Sequence, residues 1–146
     1  MTMMKNKGIA KYSRVAVESG LAVASPYRMV QMLFQGALDK LAAAKGYMER
    51  GDFGKKSENI SWASSIINGL RNSLDLEAGG EIAANLDGLY EYMIFRLMDA
   101  NLRNDPDIIK EVTVLLTEIK EAWDAMPETV RGGEHSTGAM ARVQGL

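Results

Sequence analysis

The stretch SPYRMVQMLFQGALDKLAAAKGYMERG, Ser25 to Gly51, decides the fold class, because its punctuation and its period agree. Ser25-Pro26 reads as an N-cap followed by proline at the first helical position: a serine oxygen accepts from a free amide, and proline has no amide to leave unpaired. From there Tyr27, Val30, Phe34, Ala37, Leu41, Ala44 and Met48 recur at spacings of three and four, one stripe of a helix that ends near Gly51.

The same rhythm continues on the C-terminal side. After Asp52 a second helix carries Phe53, Ile60, Ala63, Ile67, Leu70 and Leu74, with Lys56 standing in the stripe, and the sequence predicts its stop near Gly79-Gly80. A third helix opens with GGEIAANLDGLYEYM, Gly79 to Met93, and runs to about Arg103 with Ile82, Leu86, Leu89, Met93, Leu97 and Ala100 on its stripe. Asp105-Pro106 repeats the cap-and-proline signature, and Ile108, Val112, Leu115, Ile119, Ala122 and Met126 mark a fourth helix that Pro127 ends. Short connections make consecutive helices antiparallel neighbours, so the expected fold is all-α, an antiparallel four-helix bundle over residues 25–126. Residues 1–24 read as a short additional helix or arm. Residues 127–146, rich in glycine and charge without a period, read as a disordered tail.

Composition excludes several classes of function. A chain of 146 residues, 47% hydrophobic, is long enough to bury one core without cross-links, and it has no cysteine for disulfides, thiolate chemistry or zinc-thiolate sites. No apolar run approaches the roughly 18 residues of a spanning helix, so no membrane insertion is expected. Lys5, Lys7 and the AVAS of Ala22 to Ser25 imitate a secretory signal, but Arg14 and Glu18 interrupt any apolar core to it. Seventeen basic and 19 acidic residues, intermixed, give a formal charge of -2 and no reason to expect nucleic acid as a partner.

Enzyme chemistry finds no assembled set of groups. A histidine-bearing di-iron bundle needs Glu-x-x-His pairs on its helices, and the single histidine, His135, lies in the tail. Serine without a nearby histidine lacks its usual base, so Ser61, Ser64 and Ser65 read as helix-surface residues. The carboxylate pairs Asp75/Glu77 and Asp105/Asp107 sit where helix starts need capping and negative charge. No catalytic residue, metal ligand or cofactor is expected.

What remains is a surplus of apolar surface. Trp62, Ile66 and Gly69 trace a second stripe on the second helix; Tyr90 and Ile94 broaden the stripe of the third, while Tyr92 and Phe95 point elsewhere again. A bundle helix needs a stripe of only about 100° to face its core. Either wide faces are buried within the bundle, or a groove receives a partner helix. Gly36, Gly69 and Gly88, each inside a helix at a cost of about 1 kcal/mol relative to alanine, favour close approach of another backbone.

Several segments in unbroken order resemble one known family: GIAKY (Gly8–Tyr12), ASPYRMVQMLFQGAL (Ala24–Leu38), ERGD (Glu49–Asp52), INGLRNSLDLEAGGEIAANLDGLYEYM (Ile67–Met93), ANLRND (Ala100–Asp105) and the helix ending at Trp123. The sequence is similar to the flagellin-specific export chaperones, the FliS family, from about Gly8 to Met126. The resemblance implies a cytoplasmic helical bundle that binds the disordered C-terminal segment of flagellin along apolar grooves, prevents premature polymerisation and presents its client to the flagellar type III export gate. A flagellar regulator or co-chaperone is a further implied partner. By matching motif, Ile9 and Tyr12 would cover the groove when flagellin is absent. Leu33, Ala37, Ile60, Ser64, Ile67, Leu86, Tyr90 and Met93 are the expected groove lining, with the division between groove and core left open by periodicity. Tyr27-Arg28-Met29 departs from relatives that carry histidine and leucine there. The alternative reading is a self-associating structural or regulatory helical bundle.

Overall fold

A computed structural model describes residues 25–127. Among the described residues all regular structure is helical: α1 (Pro26–Glu49), α2 (Phe53–Asn72), α3 (Leu76–Arg103) and α4 (Pro106–Asp124). The expected N-terminal helix or arm and C-terminal tail lie outside the described residues.

Each helix begins on a side chain that accepts a hydrogen bond from an otherwise unpaired amide. Ser25 Oγ accepts from the Arg28 N–H, Asp52 from Lys55, Asp75 from Ala78 and Asp105 from Asp107. Proline follows the cap in α1 and α4, as the sequence predicts. The α1–α2 turn relies on Gly51 at φ 78°, a backbone state that costs glycine little, and the α3–α4 turn places Asn104 at φ 51°.

The second break differs from the expectation. The stripe through Leu74 predicts a helix persisting to Gly79-Gly80, whereas α2 stops at Asn72 and Asp75 caps a new helix three residues later. Leu74 is buried from the connection itself, and its hydrophobicity therefore imitates another helical turn. Gly80, at φ 55° and ψ -134°, does break the helix, but as a kink one turn inside α3.

Helices pack in a ring: α1 against α2, α2 against α3, α3 against α4, and α4 back against α1. This is the all-α antiparallel four-helix bundle expected. Phe34, Leu41, Ile67, Leu70, Met93, Leu97, Ile109, Val112 and Leu116 fill its centre. On α4 the inward residues include Ile109, Leu116 and Trp123; Leu115 and Ile119 pack at the edge and Ala122 is exposed. On α3, Leu89 is likewise exposed where the stripe places it inside.

Two polar clasps tie opposite poles of the ring. At one, the Tyr27 and Trp123 rings stack, the Tyr27 hydroxyl donates to the Trp123 and Asp124 carbonyls, and Trp123 Nε1 donates to the Tyr27 carbonyl. At the other, Lys56, only 4% exposed, donates to the Asn101 carbonyl at 2.9 Å and to Asn104 Oδ1 at 2.7 Å. The ammonium thereby satisfies backbone at the C-terminus of α3, where the helix dipole favours a cation. The lysine that interrupts the second stripe is thus a buried interhelical tie.

Candidate partner-binding surface

The apolar surplus divides between core and surface in a way the periods alone do not show. Leu33, Ala37, Ile60, Ile67, Tyr90 and Met93 are buried in the core cluster. Ser64 is half-buried, and Leu86 packs partly exposed against the core. Ile9 and Tyr12 lie outside the described residues. The large apolar side chains left exposed are Phe53, Trp62, Leu76, Leu89, Tyr92, Phe95, Met98, Leu102 and Val114.

Six of these nine belong to α3. Phe95, Met98 and Leu102 are spaced three and four apart, so they share one face and form a ridge about 10 Å long at 1.5 Å per residue. Phe95 is 60% and Leu102 81% exposed. The core residues Met93, Leu97 and Ala100 occupy the opposite side of the same helix. Tyr92 and Phe95 stand out in the sequence as pointing away from the stripe. Met98 and Leu102 escape a reading centred on the core stripe, although their spacing from Phe95 carries the signal.

Two ion clusters flank this ridge. On the α2 side Arg71 Nε donates to Asp87 at 2.7 Å and Nη2 to Glu91 at 2.6 Å, holding the guanidinium above its ordinary pKa, with the Asp87 hydrogen bond the main cause. On the α4 side Arg96 donates to Glu111 at 2.9 Å and to Asp99 at 3.2 Å, while the Tyr92 hydroxyl donates to Glu111. The Tyr92 hydrogen bond, followed by that from Arg96, lowers the Glu111 pKa. In each cluster one arginine serves two carboxylates.

Trp62 occupies a separate exposed position on α2, with the Lys40 ammonium 4.3 Å from its ring centroid. The helical glycines show no close backbone approach where their surroundings are described: a side chain at Gly36 would meet the Ile66 side chain at ordinary van der Waals distance, and one at Gly88 would enter open space. Gly69 is buried.

Tyr90 is buried with its hydroxyl bonded to no described group, and burial pushes its pKa up. No group of three or more metal-ligating side chains occurs among the described residues, and none of their helices is long and apolar enough to cross a membrane. The arrangement offers shape, apolar area and charge rather than an acid, base and nucleophile in register.

Comparison with known proteins agrees with the segments read from the sequence. The family model described as flagellar protein FliS matches residues 8–130. The flagellar secretion chaperone FliSB of Pseudomonas aeruginosa is 47% identical over 124 residues, covering 85% of this chain and 98% of the relative. FliS of Salmonella typhimurium is 51% identical over 122 residues, covering 83% and 90%. Even FliS of Bacillus subtilis retains 30% identity over 124 residues, covering 85% and 92%. With the match spanning the whole bundle and both ion clusters, the chain belongs to the FliS family of flagellar proteins.

Proposed function

We propose that this protein is a flagellar secretion chaperone, without enzymatic activity, that binds the C-terminal segment of flagellin in the cytoplasm and assists its delivery to the type III export apparatus. The observation that carries this reading is the line of large apolar side chains left on the outside of α3, with Trp62 and Val114 on its neighbours. A disordered client that folds on binding incurs an ordering cost of roughly 2–5 kcal/mol or more, which extended apolar contact offsets without chemistry at any residue. Names carried by the relatives, flagellar secretion chaperones, support the same reading.

In this proposal Ser64 and Leu86 meet the client at the edge of the core, and Leu33, Ala37, Ile60, Ile67, Tyr90 and Met93 form the packed floor beneath it. The role of Ile9 and Tyr12 as a cover for the empty surface rests on the family resemblance alone.

The test is a titration of the purified protein with a peptide from the C-terminal end of the host's flagellin, following heat and helix content together. Saturable binding with new helix and a negative heat-capacity change supports the proposal. A folded protein that shows no binding well above micromolar concentration, and a concentration-dependent oligomer instead, supports the self-associating bundle.

A further inference from the structure

The formal charge of -2 conceals a division between the two halves of the bundle. Residues 26–72, which form α1 and α2, contain seven basic and four acidic residues; residues 75–124, which form α3 and α4, contain four basic and twelve acidic ones. One half of the ring is mildly positive and the other carries an excess of eight negative charges. The Phe95–Met98–Leu102 ridge lies in the negative half.

The local arrangement repeats the imbalance. Glu91 stands one turn before Phe95 on the same face, paired with Arg71, which Asp87 shares. Asp99 and Glu111 lie along the other flank and share Arg96. Each cluster keeps one negative charge in excess, and the side chains of Glu91 and Asp99 remain 51% and 42% exposed. An apolar ridge is therefore bordered at its N-terminal end and along its α4 side by carboxylates that the arginines only half neutralise.

We infer that the outer face of α3 is a docking surface for a protein segment whose apolar anchors are flanked by lysine or arginine. Its apolar side chains cover Phe95, Met98 and Leu102, and its cations reach the exposed oxygens of Glu91, Asp99 and Glu111. Complementary charge accelerates encounter and fixes register, whereas the wrong sign is repelled. A second copy presenting the same face would set carboxylate against carboxylate, which removes a symmetric dimer as the occupant. The inference specifies the chemistry of the segment and does not depend on flagellin being the protein that carries it.

The probe is a pair of synthetic 18-residue amphipathic peptides with the same leucine stripe, one flanked by lysines and one by glutamates, titrated into the full-length protein. The lysine peptide is expected to bind, to weaken by roughly tenfold or more between low and high salt, and to lose roughly tenfold in affinity on Leu102→Ser or Phe95→Ser. Glu91→Gln with Asp99→Asn is expected to slow association more than it speeds dissociation. Ala42→Ser, an exposed position on α1 across the ring from α3, serves as the control that leaves binding unchanged. Circular dichroism and melting establish that each variant is folded, and Leu102→Ser, at the most exposed position, gives the decisive measurement if Phe95→Ser is not. Equal binding of the glutamate peptide, or affinity insensitive to Leu102→Ser, overturns the assignment.

Discussion

Tyr27 at the start of α1 and Trp123 at the end of α4 hold one another twice over: their rings stack with centroids 5.5 Å apart, and Trp123 Nε1 donates to the Tyr27 carbonyl at 3.1 Å while the Tyr27 hydroxyl donates to the Trp123 carbonyl at 3.0 Å. Both residues are buried, so the hydrogen bonds are shielded from water and the apolar area is removed from it. Trp123→Ala should destabilise the bundle by about 3–5 kcal/mol. Tyr27→Phe, which keeps the ring, should lose only about 0.5–1.5 kcal/mol. Denaturant unfolding of each variant checks these values, and a cycle of Tyr27→Ala with Trp123→Ala isolates the ring stack, a coupling near zero counting against it.

The Lys56 tie makes a second prediction, at the opposite pole. Lys56→Met keeps most of the buried stem but leaves the Asn101 carbonyl and Asn104 Oδ1 without their donor. Hydrogen bonds to charged groups contribute about 1.5–3 kcal/mol, so the variant should lose stability in that range despite being more apolar. Hydrogen exchange should locate the loss at the end of α3 and the start of α4. Uniform loss across the bundle would show that the tie acts elsewhere.

Tyr90 reverses the usual direction. Its hydroxyl is buried among apolar side chains and bonded to no described group, so removing it eliminates a desolvated polar atom. Tyr90→Phe is expected to leave stability unchanged or raise it by up to about 1–3 kcal/mol. A clear drop in melting temperature on this substitution would require the hydroxyl to have a partner after all.

Acid should loosen the α3–α4 and α1–α4 seams first. Glu111 is held below its ordinary pKa by the Tyr92 and Arg96 hydrogen bonds; at Asp124 burial acts upward, but hydrogen bonds from Lys120 and Gln31 outweigh it. A carboxylate lowered on folding contributes stability that is present above its unfolded pKa and is lost as pH falls through the folded value. Stability should therefore decline with falling pH below about 4, and Glu111→Gln with Asp124→Asn should flatten that decline while lowering stability near neutrality. Partial exposure of both groups keeps the effect modest. An unchanged pH profile in the double variant would remove these groups as its cause.

The helices were legible because caps and periods are local: Ser25, Asp52 and Asp105 each stand where an amide needs an acceptor, and the stripes behind them turn inward. The end of α2 was not legible, since Leu74 keeps the helical period while lying in the connection. The candidate surface was harder for a related reason. Periodicity assigns an angle around each helix but not the neighbour at that angle, and six of the ten expected binding residues, Leu33 and Met93 among them, face another helix of the same bundle. Phe95 and Tyr92 were visible as outliers from the stripe. The charge imbalance between residues 26–72 and 75–124 is written in the linear sequence, but its position beside the Phe95–Met98–Leu102 ridge follows from the folded helices.

The position of the Tyr27–Trp123 clasp has a topological consequence. It puts the entry of the described chain beside its exit, while the Gly51 turn and the Asn104 turn lie together at the far pole, near the Lys56 tie. Four rods joined in this way form a cycle, and the place where the sequence opens that cycle is arbitrary. A circular permutant linking residue 126 to residue 25 through a flexible segment, and opened at the exposed Gly51 turn, keeps every interhelical seam and should fold to the same bundle.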